Sequence, residues 1–142
     1  MHLHATCVAI EDQGVLLTGP SGIGKSDLAL RLIDQGAMLV ADDQVIVASH
    51  GDQLVAHCPE ATRGLLEVRH VGLLRLPFPP QVPLVLQVEL TALDASLVRL
   101  PEAHTIFYLD QPLRCLRLPA MAASTPAKIR AALFYPDATD DP

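Results

Sequence analysis

The amino-acid sequence predicts a single, strand-rich α/β domain. Its 142 residues suit one compact domain, and half of them are hydrophobic, which is enough to form a core. Short apolar runs bounded by turn residues recur along the chain, as is typical of buried strands, whereas only two segments show helical features. A doubly wound sheet would need a helix between most of its strands, so we expect a different α/β arrangement.

Two segments predict helices, and the remainder predicts strands and loops. The first helix is expected over 25–35, where an apolar stripe is followed by Gly36 as a C′ glycine. The second is expected over 126–133, with Thr125 as N-cap and a proline at its first position. The prolines of 76–83 predict an extended loop. Strands are expected over 3–10, 15–18, 38–41, 44–48, 53–56, 64–69, 84–90, 104–109 and 113–118.

A glycine-rich segment between a predicted strand and a predicted helix has the pattern of a phosphate-binding loop, or P-loop. It consists of Gly19, Pro20, Ser21, Gly22, Ile23, Gly24, Lys25 and Ser26. Its glycines let backbone amides approach an anion at the positive end of the helix dipole. We expect a solvent-facing loop in which Lys25 neutralises the β- and γ-phosphates and the Ser26 hydroxyl binds Mg²⁺. The alternative is a glycine-rich turn that binds nothing.

Two adjacent carboxylates, Asp42 and Asp43, follow the predicted strand over 38–41. In P-loop proteins an aspartate at a strand end holds Mg²⁺, directly or through water. A second carboxylate beside it can remove a proton from an attacking hydroxyl. The alternative is a solvated turn, in which aspartate is common. The preceding P-loop pattern favours a functional pair.

Composition and charge exclude several classes of protein. The net charge of −6 argues against a nucleic-acid partner, which requires clustered Lys and Arg. No apolar run is long enough for a membrane span, and the N-terminus does not have the pattern of a signal peptide, so we expect a cytoplasmic protein. The three cysteines have neither disulfide-framework nor zinc spacing, and we expect reduced thiols.

The sequence resembles the catalytic, C-terminal domain of the bacterial HPr kinase/phosphorylase family. The similarity covers about the first half of the chain and rests on His4, on 14–26, on 39–45 and on 66–72. In the last of these, Leu-Glu-Val-Arg-His-Val-Gly is similar to the family's Glu-Ile-Arg-Gly-Leu-Gly signature. The similarity starts almost at the first residue, so we expect a short form without the family's N-terminal domain.

The resemblance implies a nucleotide-binding core like that of phosphoenolpyruvate carboxykinase, which we place over 1–135, before a polar tail over 136–142. It implies an ATP- and Mg²⁺-dependent kinase that phosphorylates a serine of HPr, the phosphocarrier protein of the sugar phosphotransferase system. Many members also reverse this reaction by phosphorolysis. By resemblance, Asp42 is the catalytic base, Asp43 is its supporting partner, and His4 lies near the phosphates.

Further site residues are implied by the second half of the similarity. Glu67 resembles a metal-site carboxylate and Arg69 an active-site cation, and residues two apart on a strand do share a face. A surface ion pair between them is the alternative. Pro126-Ala127-Lys128 is loosely similar to the family's Pro-Gly-Arg loop. Because His70 replaces a glycine and Lys128 an arginine, we expect weak or absent phosphorolysis.

Two other functions remain open from the sequence. One is a small-molecule kinase or an ATPase on the same fold. The other is a non-enzymatic regulatory module that senses a nucleotide and signals to a partner protein. A homo-oligomer is also left open.

Overall fold

The computed structural model describes residues 1–138, which form eleven strands, two α-helices and one short 3₁₀ helix. Of the predicted polar tail over 136–142, residues 139–142 lie outside this described part. The strands are β1 (His2–Leu3), β2 (Thr6–Ile10), β3 (Gln13–Thr18), β4 (Met38–Ala41), β5 (Val45–His50), β6 (Gln53–His57), β7 (Leu65–Val68), β8 (Gly72–Arg75), β9 (Val82–Thr91), β10 (His104–Tyr108) and β11 (Gln111–Pro119). The helices are α1 (Lys25–Asp34), α2 (Thr125–Phe134) and the 3₁₀ turn Glu60–Thr62.

Most strands join one mixed sheet built around the long strand β9. The main order is β1-β5-β6-β9-β3-β2-β4. Strand β11 also pairs with β9, and β10 pairs with β11. Strands β3 and β11 run parallel to β9, whereas the other pairs in the sheet are antiparallel. The carboxyl ends of β3, β9 and β11 therefore meet at one edge. Strands β7 and β8 form a separate hairpin.

Both faces of the sheet are buried at β3, which explains why its sequence is a continuous apolar run. Leu17 packs under the helices with Leu28, Leu32 and Ile129. Its neighbour Leu16 points to the opposite face, into a second cluster formed with residues such as Val47. Each fully buried leucine contributes about 1.5–3 kcal/mol to folding, so these two clusters hold β3 firmly in place. The segment that follows β3 is thus anchored on a rigid strand.

Several predicted boundaries are wrong for identifiable reasons. The expected strand over 3–10 is interrupted at His4, because the next amide, that of Ala5, donates to the carbonyl of Asp43 at 3.2 Å instead of to a neighbouring strand. Ser124, not Thr125, is the N-cap of α2, since the Thr125 hydroxyl donates to the carbonyl of Pro119 at 2.5 Å. Strand β8 was not predicted, and β9 begins inside the expected proline-rich loop.

No helix within residues 1–138 is long and apolar enough to cross a membrane. The three cysteines, Cys7, Cys58 and Cys115, are all buried and free. The absence of disulfides among the described residues agrees with the expectation from their spacing.

Candidate functional site

The glycine loop, Gly19–Ser26, leaves the carboxyl end of β3 and leads into α1. Gly22 and Gly24 have φ values of 81° and 116°, in the left-handed region that favours glycine. Gly24 is the N-cap of α1, and a Cβ atom there would lie 3.0 Å from Met121 Sδ and 3.3 Å from Ala120 Cβ. Glycine is therefore required at this position by both its backbone angle and its close packing.

Lys25 lies across the glycine loop and does not extend into solvent. Only 8% of the residue is exposed. Its ammonium group donates to the carbonyl of Gly19 at 2.7 Å and to that of Pro20 at 3.1 Å. Residues 19–24 are exposed or half-buried, as expected of a solvent-facing loop, whereas Lys25 is buried because the carbonyls at the start of the loop are close enough to bind it. The positive charge of the Lys25 ammonium group is thus held within the loop.

Ser26, Asp42 and Thr6 form a connected group at the end of the loop. The Ser26 hydroxyl donates to Asp42 Oδ1 at 2.9 Å and lies 3.2 Å from Oδ2. The Thr6 hydroxyl donates to the same Oδ1 at 2.8 Å. Asp42 is half-buried, and three adjacent elements supply this group: β2, α1 and the turn after β4. The residues predicted to act together, Ser26 and Asp42, are therefore in direct contact.

Asp43 points away from this group and contacts His4. His4 Nε2 and Asp43 Oδ1 are 2.7 Å apart, and both side chains are largely exposed, by 51% and 71%. The amide of Gln44 donates to the carbonyl of Asp42 at 2.8 Å, which closes a three-residue turn around Asp43. Asp43 has a φ of 70° in this turn, a strained conformation for a residue with a side chain. The turn is what directs the two adjacent carboxylates to different partners.

The β7–β8 hairpin carries Glu67, Arg69 and His70. Glu67 is exposed in β7, a strand that packs against α1. Arg69 and His70 lie in the turn after β7, so the predicted same-face arrangement of Glu67 and Arg69 on one strand was wrong. His70 has a φ of 71°, which explains why a glycine suits this position. Within residues 1–138 no three His, Cys, Asp or Glu side chains converge on a metal site, so Glu67 is not grouped with Asp42 and Asp43.

Lys128 is exposed in the first turn of α2. The helix predicted over 126–133 is confirmed, so the three residues compared with a Pro-Gly-Arg loop, Pro126-Ala127-Lys128, are helical here. A different segment, 120–124, connects β11 to α2 and approaches the glycine loop through Ala120 and Met121. We refer to residues 120–124 as the connecting segment.

A chain of hydrogen-bonded side chains, in which Gln87 is buried and Thr18 and Tyr108 are half-buried, supports the strand end below the glycine loop. Gln87 Nε2 donates to Thr18 Oγ1 at 3.2 Å, and the Tyr108 hydroxyl donates to Gln87 Oε1 at 2.6 Å. Burial raises the pKa of Tyr108 above its usual value. Burial, with the nearby Glu89 carboxylate, raises the pKa of the Cys115 thiol to about 11. The Tyr108 phenol and the Cys115 thiol therefore stay neutral at physiological pH. The two hydrogen bonds connect Thr18 to β9 and β10.

Sequence reasoning missed two residues of this region, Thr6 and Arg31. Thr6 is an ordinary strand residue in the sequence, and only the pairing of β2 beside β4 brings it to Asp42. Arg31 bonds to Asp27 at 3.1 Å and to the carbonyl of Ala122 at 3.2 Å. The four-residue spacing of Asp27 and Arg31 was a visible signal of a helical ion pair, but it did not indicate the contact across 91 residues.

Comparison with known proteins gives a consistent result. The family model described as HPr Serine kinase C-terminal domain matches residues 1–78. HPr kinase/phosphorylase of Clostridium acetobutylicum is 47% identical over 75 residues, which is 53% of this chain and 25% of that protein. The protein of the same name from Mycoplasmopsis pulmonis is 39% identical over 74 residues, or 52% of this chain and 24% of that protein. The chain thus spans about a quarter of the length of these curated relatives.

A solved structure extends the likeness to the second half of the chain. The Hpr(Ser) kinase/phosphatase from Coxiella burnetii superimposes with a TM-score of 0.82, at 27% sequence identity. The match covers 94% of this chain and 93% of that one. The family model covers more than half of the residues, and the structural match covers nearly all of them. The chain therefore belongs to the family of HPr serine kinase C-terminal domains.

Proposed function

We propose that this chain is an ATP- and Mg²⁺-dependent serine kinase that phosphorylates an HPr-like phosphocarrier protein. The observation that carries the proposal is the contact of Ser26 Oγ with the Asp42 carboxylate, at 2.9 Å, beside a loop centred on Lys25. The relatives named HPr kinase/phosphorylase support the choice of acceptor. In this proposal the catalytic unit spans 1–135 and acts in the cytoplasm, in regulation of the phosphotransferase system.

The nucleotide is held by Gly19, Pro20, Ser21, Gly22, Ile23, Gly24, Lys25 and Ser26. The loop amides and the positive end of α1 face the phosphates in this proposal, which also takes the nucleotide-binding core to be like that of phosphoenolpyruvate carboxykinase. Lys25 turns from the loop carbonyls towards the β- and γ-phosphates when these are present. Binding the phosphates in a fixed position supplies most of the catalysis in phosphoryl transfer, which explains why few side chains suffice.

The residues at the end of the loop fit a magnesium ion. Ser26 Oγ and the Asp42 carboxylate are hard oxygen donors of the kind that Mg²⁺ prefers. We assign Ser26 and Glu67 as the side chains that hold it, with Asp42 adjacent. When bound, the ion neutralises charge on the phosphate oxygens. In this assignment Glu67 is supplied by the β7–β8 hairpin, whose strand β7 packs against α1.

Asp42 takes the proton of the attacking serine hydroxyl. Its Oδ1 already accepts hydrogen bonds from Thr6 and Ser26, whereas Oδ2 has only the longer 3.2 Å contact with Ser26. Oδ2 is therefore the freer atom to receive a proton. Asp43 supports the reaction from the adjacent position, with His4 holding its carboxylate at 2.7 Å. The backbone turn around Asp43 keeps the two carboxylates apart, so that each has one role.

The reverse reaction, phosphorolysis, is weak or absent in this proposal. It requires cations that hold inorganic phosphate beside a phosphoserine, and we assign Arg69 and Lys128 to that task. Lysine has no planar guanidinium to bind two oxygens at once. Lys128 also lies in a helix and not in a flexible loop. Both features favour the forward kinase reaction.

The decisive experiment is incubation with ATP, Mg²⁺ and purified HPr, with phosphoserine measured by mass spectrometry. Total ATP hydrolysis is measured in parallel, and pyrophosphate release is measured from phosphorylated HPr with excess phosphate. Transfer to HPr supports the proposal. ATP turnover without HPr phosphorylation favours a small-molecule kinase or an ATPase. Tight ATP binding with no turnover favours a nucleotide-sensing module, and sedimentation of the same sample gives its oligomeric state.

A further inference from the structure

Within the connecting segment only Ala120 is buried in the core, and the other side chains are exposed or half-buried. Its sequence is Ala120-Met121-Ala122-Ala123-Ser124, so none of its side chains is long and polar. Its place depends on backbone bonds, among them that of the Ala120 amide to the carbonyl of Thr91 at 3.0 Å. The segment nevertheless packs closely on Gly24, where a Cβ would lie 3.0 Å from Met121 Sδ. A small movement of the segment therefore changes the packing at the N-cap of α1.

Arg31 holds this segment against α1. Its guanidinium is bonded on three sides: Nε donates to Asp27 at 3.1 Å, Nη1 to the carbonyl of Ala122 at 3.2 Å, and Nη2 to the carbonyl of Ala120. The planar fork suits two carbonyls two residues apart, and a lysine could not bind both with the same geometry. Arg31 lies on the helix that begins at the glycine loop, so it joins that helix directly to the segment over Gly24.

We propose that Arg31 is a positioning residue that fixes the glycine loop for phosphate binding by clamping the connecting segment onto Gly24. This role rests on the proposed function of the loop. The clamp keeps the N-terminal turn of α1 closed, with the amides of Gly24, Lys25 and Ser26 aimed at the phosphates. Without it, the Ala120–Met121 contact loosens and these amides lose their common direction. Phosphate affinity then falls although no phosphate-contacting group has been removed.

The chain contains a matched control, Arg130. It lies on α2 and donates from Nη2 to the carbonyl of Gln35 at 2.8 Å. It thus links α2 to the other end of α1, more than two turns away from the glycine loop. Arg130→Met removes the same charge and the same kind of guanidinium–carbonyl bond. A difference in pyrophosphate affinity between the two variants, compared at temperatures where both are fully folded, therefore reports position and not loss of charge.

The experiment measures pyrophosphate affinity by calorimetry, thermal unfolding, and amide hydrogen exchange of the ligand-free protein. We expect Arg31→Met to weaken pyrophosphate binding about 10-fold, at the lower end of the effect that supporting residues have on metal affinity. Exchange should rise at 24–26 and 120–122. Arg130→Met, which removes one exposed bond, should leave pyrophosphate affinity and amide exchange unchanged and should lower the unfolding temperature less than Arg31→Met. Kinetically, Arg31→Met should raise KM for ATP and leave KM for the phosphate acceptor unchanged, and Arg31→Lys should recover part of the loss.

Equal effects of Arg31→Met and Arg130→Met, or wild-type affinity and exchange in Arg31→Met, would overturn the clamp. If Arg31→Met does not fold, the pyrophosphate affinity and amide exchange of Arg31→Lys and Arg31→Gln are compared with those of Arg130→Met instead. If the wild-type protein binds neither ATP nor pyrophosphate, the proposed function fails. The clamp is then judged by amide exchange alone, because that measurement uses no ligand.

Discussion

Replacing Asp43 by glycine and by alanine separates backbone strain from chemistry. Asp43 has a φ of 70°, and its contact with His4 is largely exposed. Both variants lose the carboxylate and that contact, which contributes at most about 1 kcal/mol. Alanine keeps the left-handed strain of about 1–2 kcal/mol, whereas glycine relieves it but costs about 0.4–1 kcal/mol in unfolded-state entropy. We therefore expect Asp43→Gly to be more stable than Asp43→Ala by about 1 kcal/mol.

The difference is measurable by thermal and chemical unfolding. For a domain of this size, about 1 kcal/mol corresponds to a shift of roughly 4 °C in Tm. Serine phosphorylation should fall by the same factor in both variants, since both lack the carboxylate. Equal Tm values would refute the assignment of strain to Asp43. Transfer at the wild-type rate in both variants would refute its supporting role and leave Asp42 as the only member of the aspartate pair with a catalytic role.

Three further predictions concern the loop, the base and a buried thiol. Lys25→Ala should weaken ATP binding about 100-fold, equivalent to ~3 kcal/mol, and should also lower Tm because the buried ammonium ties the loop carbonyls together. Calorimetry on the folded variant tests this, and unchanged affinity would exclude the loop as the nucleotide site. Asp42→Asn should keep ATP affinity but lower the rate of phosphoryl transfer about 10²- to 10⁴-fold, as measured by single-turnover kinetics. Transfer at the wild-type rate would show that Asp42 is not the base. Burial raises the Cys115 pKa from 9.0 to about 11, so between pH 9 and pH 11 the unfolded chain releases this proton and the folded chain does not. The free energy of unfolding should therefore fall across this range, and less steeply in Cys115→Ser; identical slopes in urea titrations would contradict the burial.

Local sequence patterns predicted many of the strands and helices and many of the residues of the candidate site. The glycine spacing before Lys25 and Ser26 predicted both the loop and its place between a strand and a helix, because backbone angles such as those of Gly22 and Gly24 exclude most other residues. The apolar runs of β3 and β4 predicted buried strands. The parallel pairings of β9 with β3 and with β11 were not predicted, since each joins strands that are distant in sequence and therefore depends on the closure of a long loop.

The sequence by itself determined the residue types of the site: the glycine loop, the aspartate pair and the histidine near the N-terminus. Only the tertiary structure decided how these residues are paired. Asp42 contacts Ser26 and Thr6, whereas Asp43 contacts His4, and these partners depend on the three-residue turn after β4, whose shape the strand pattern does not predict. It also brings Arg31 to the carbonyls of 120 and 122 across about 90 positions. Local patterns report backbone preference and burial, whereas such contacts depend on how separate elements pack.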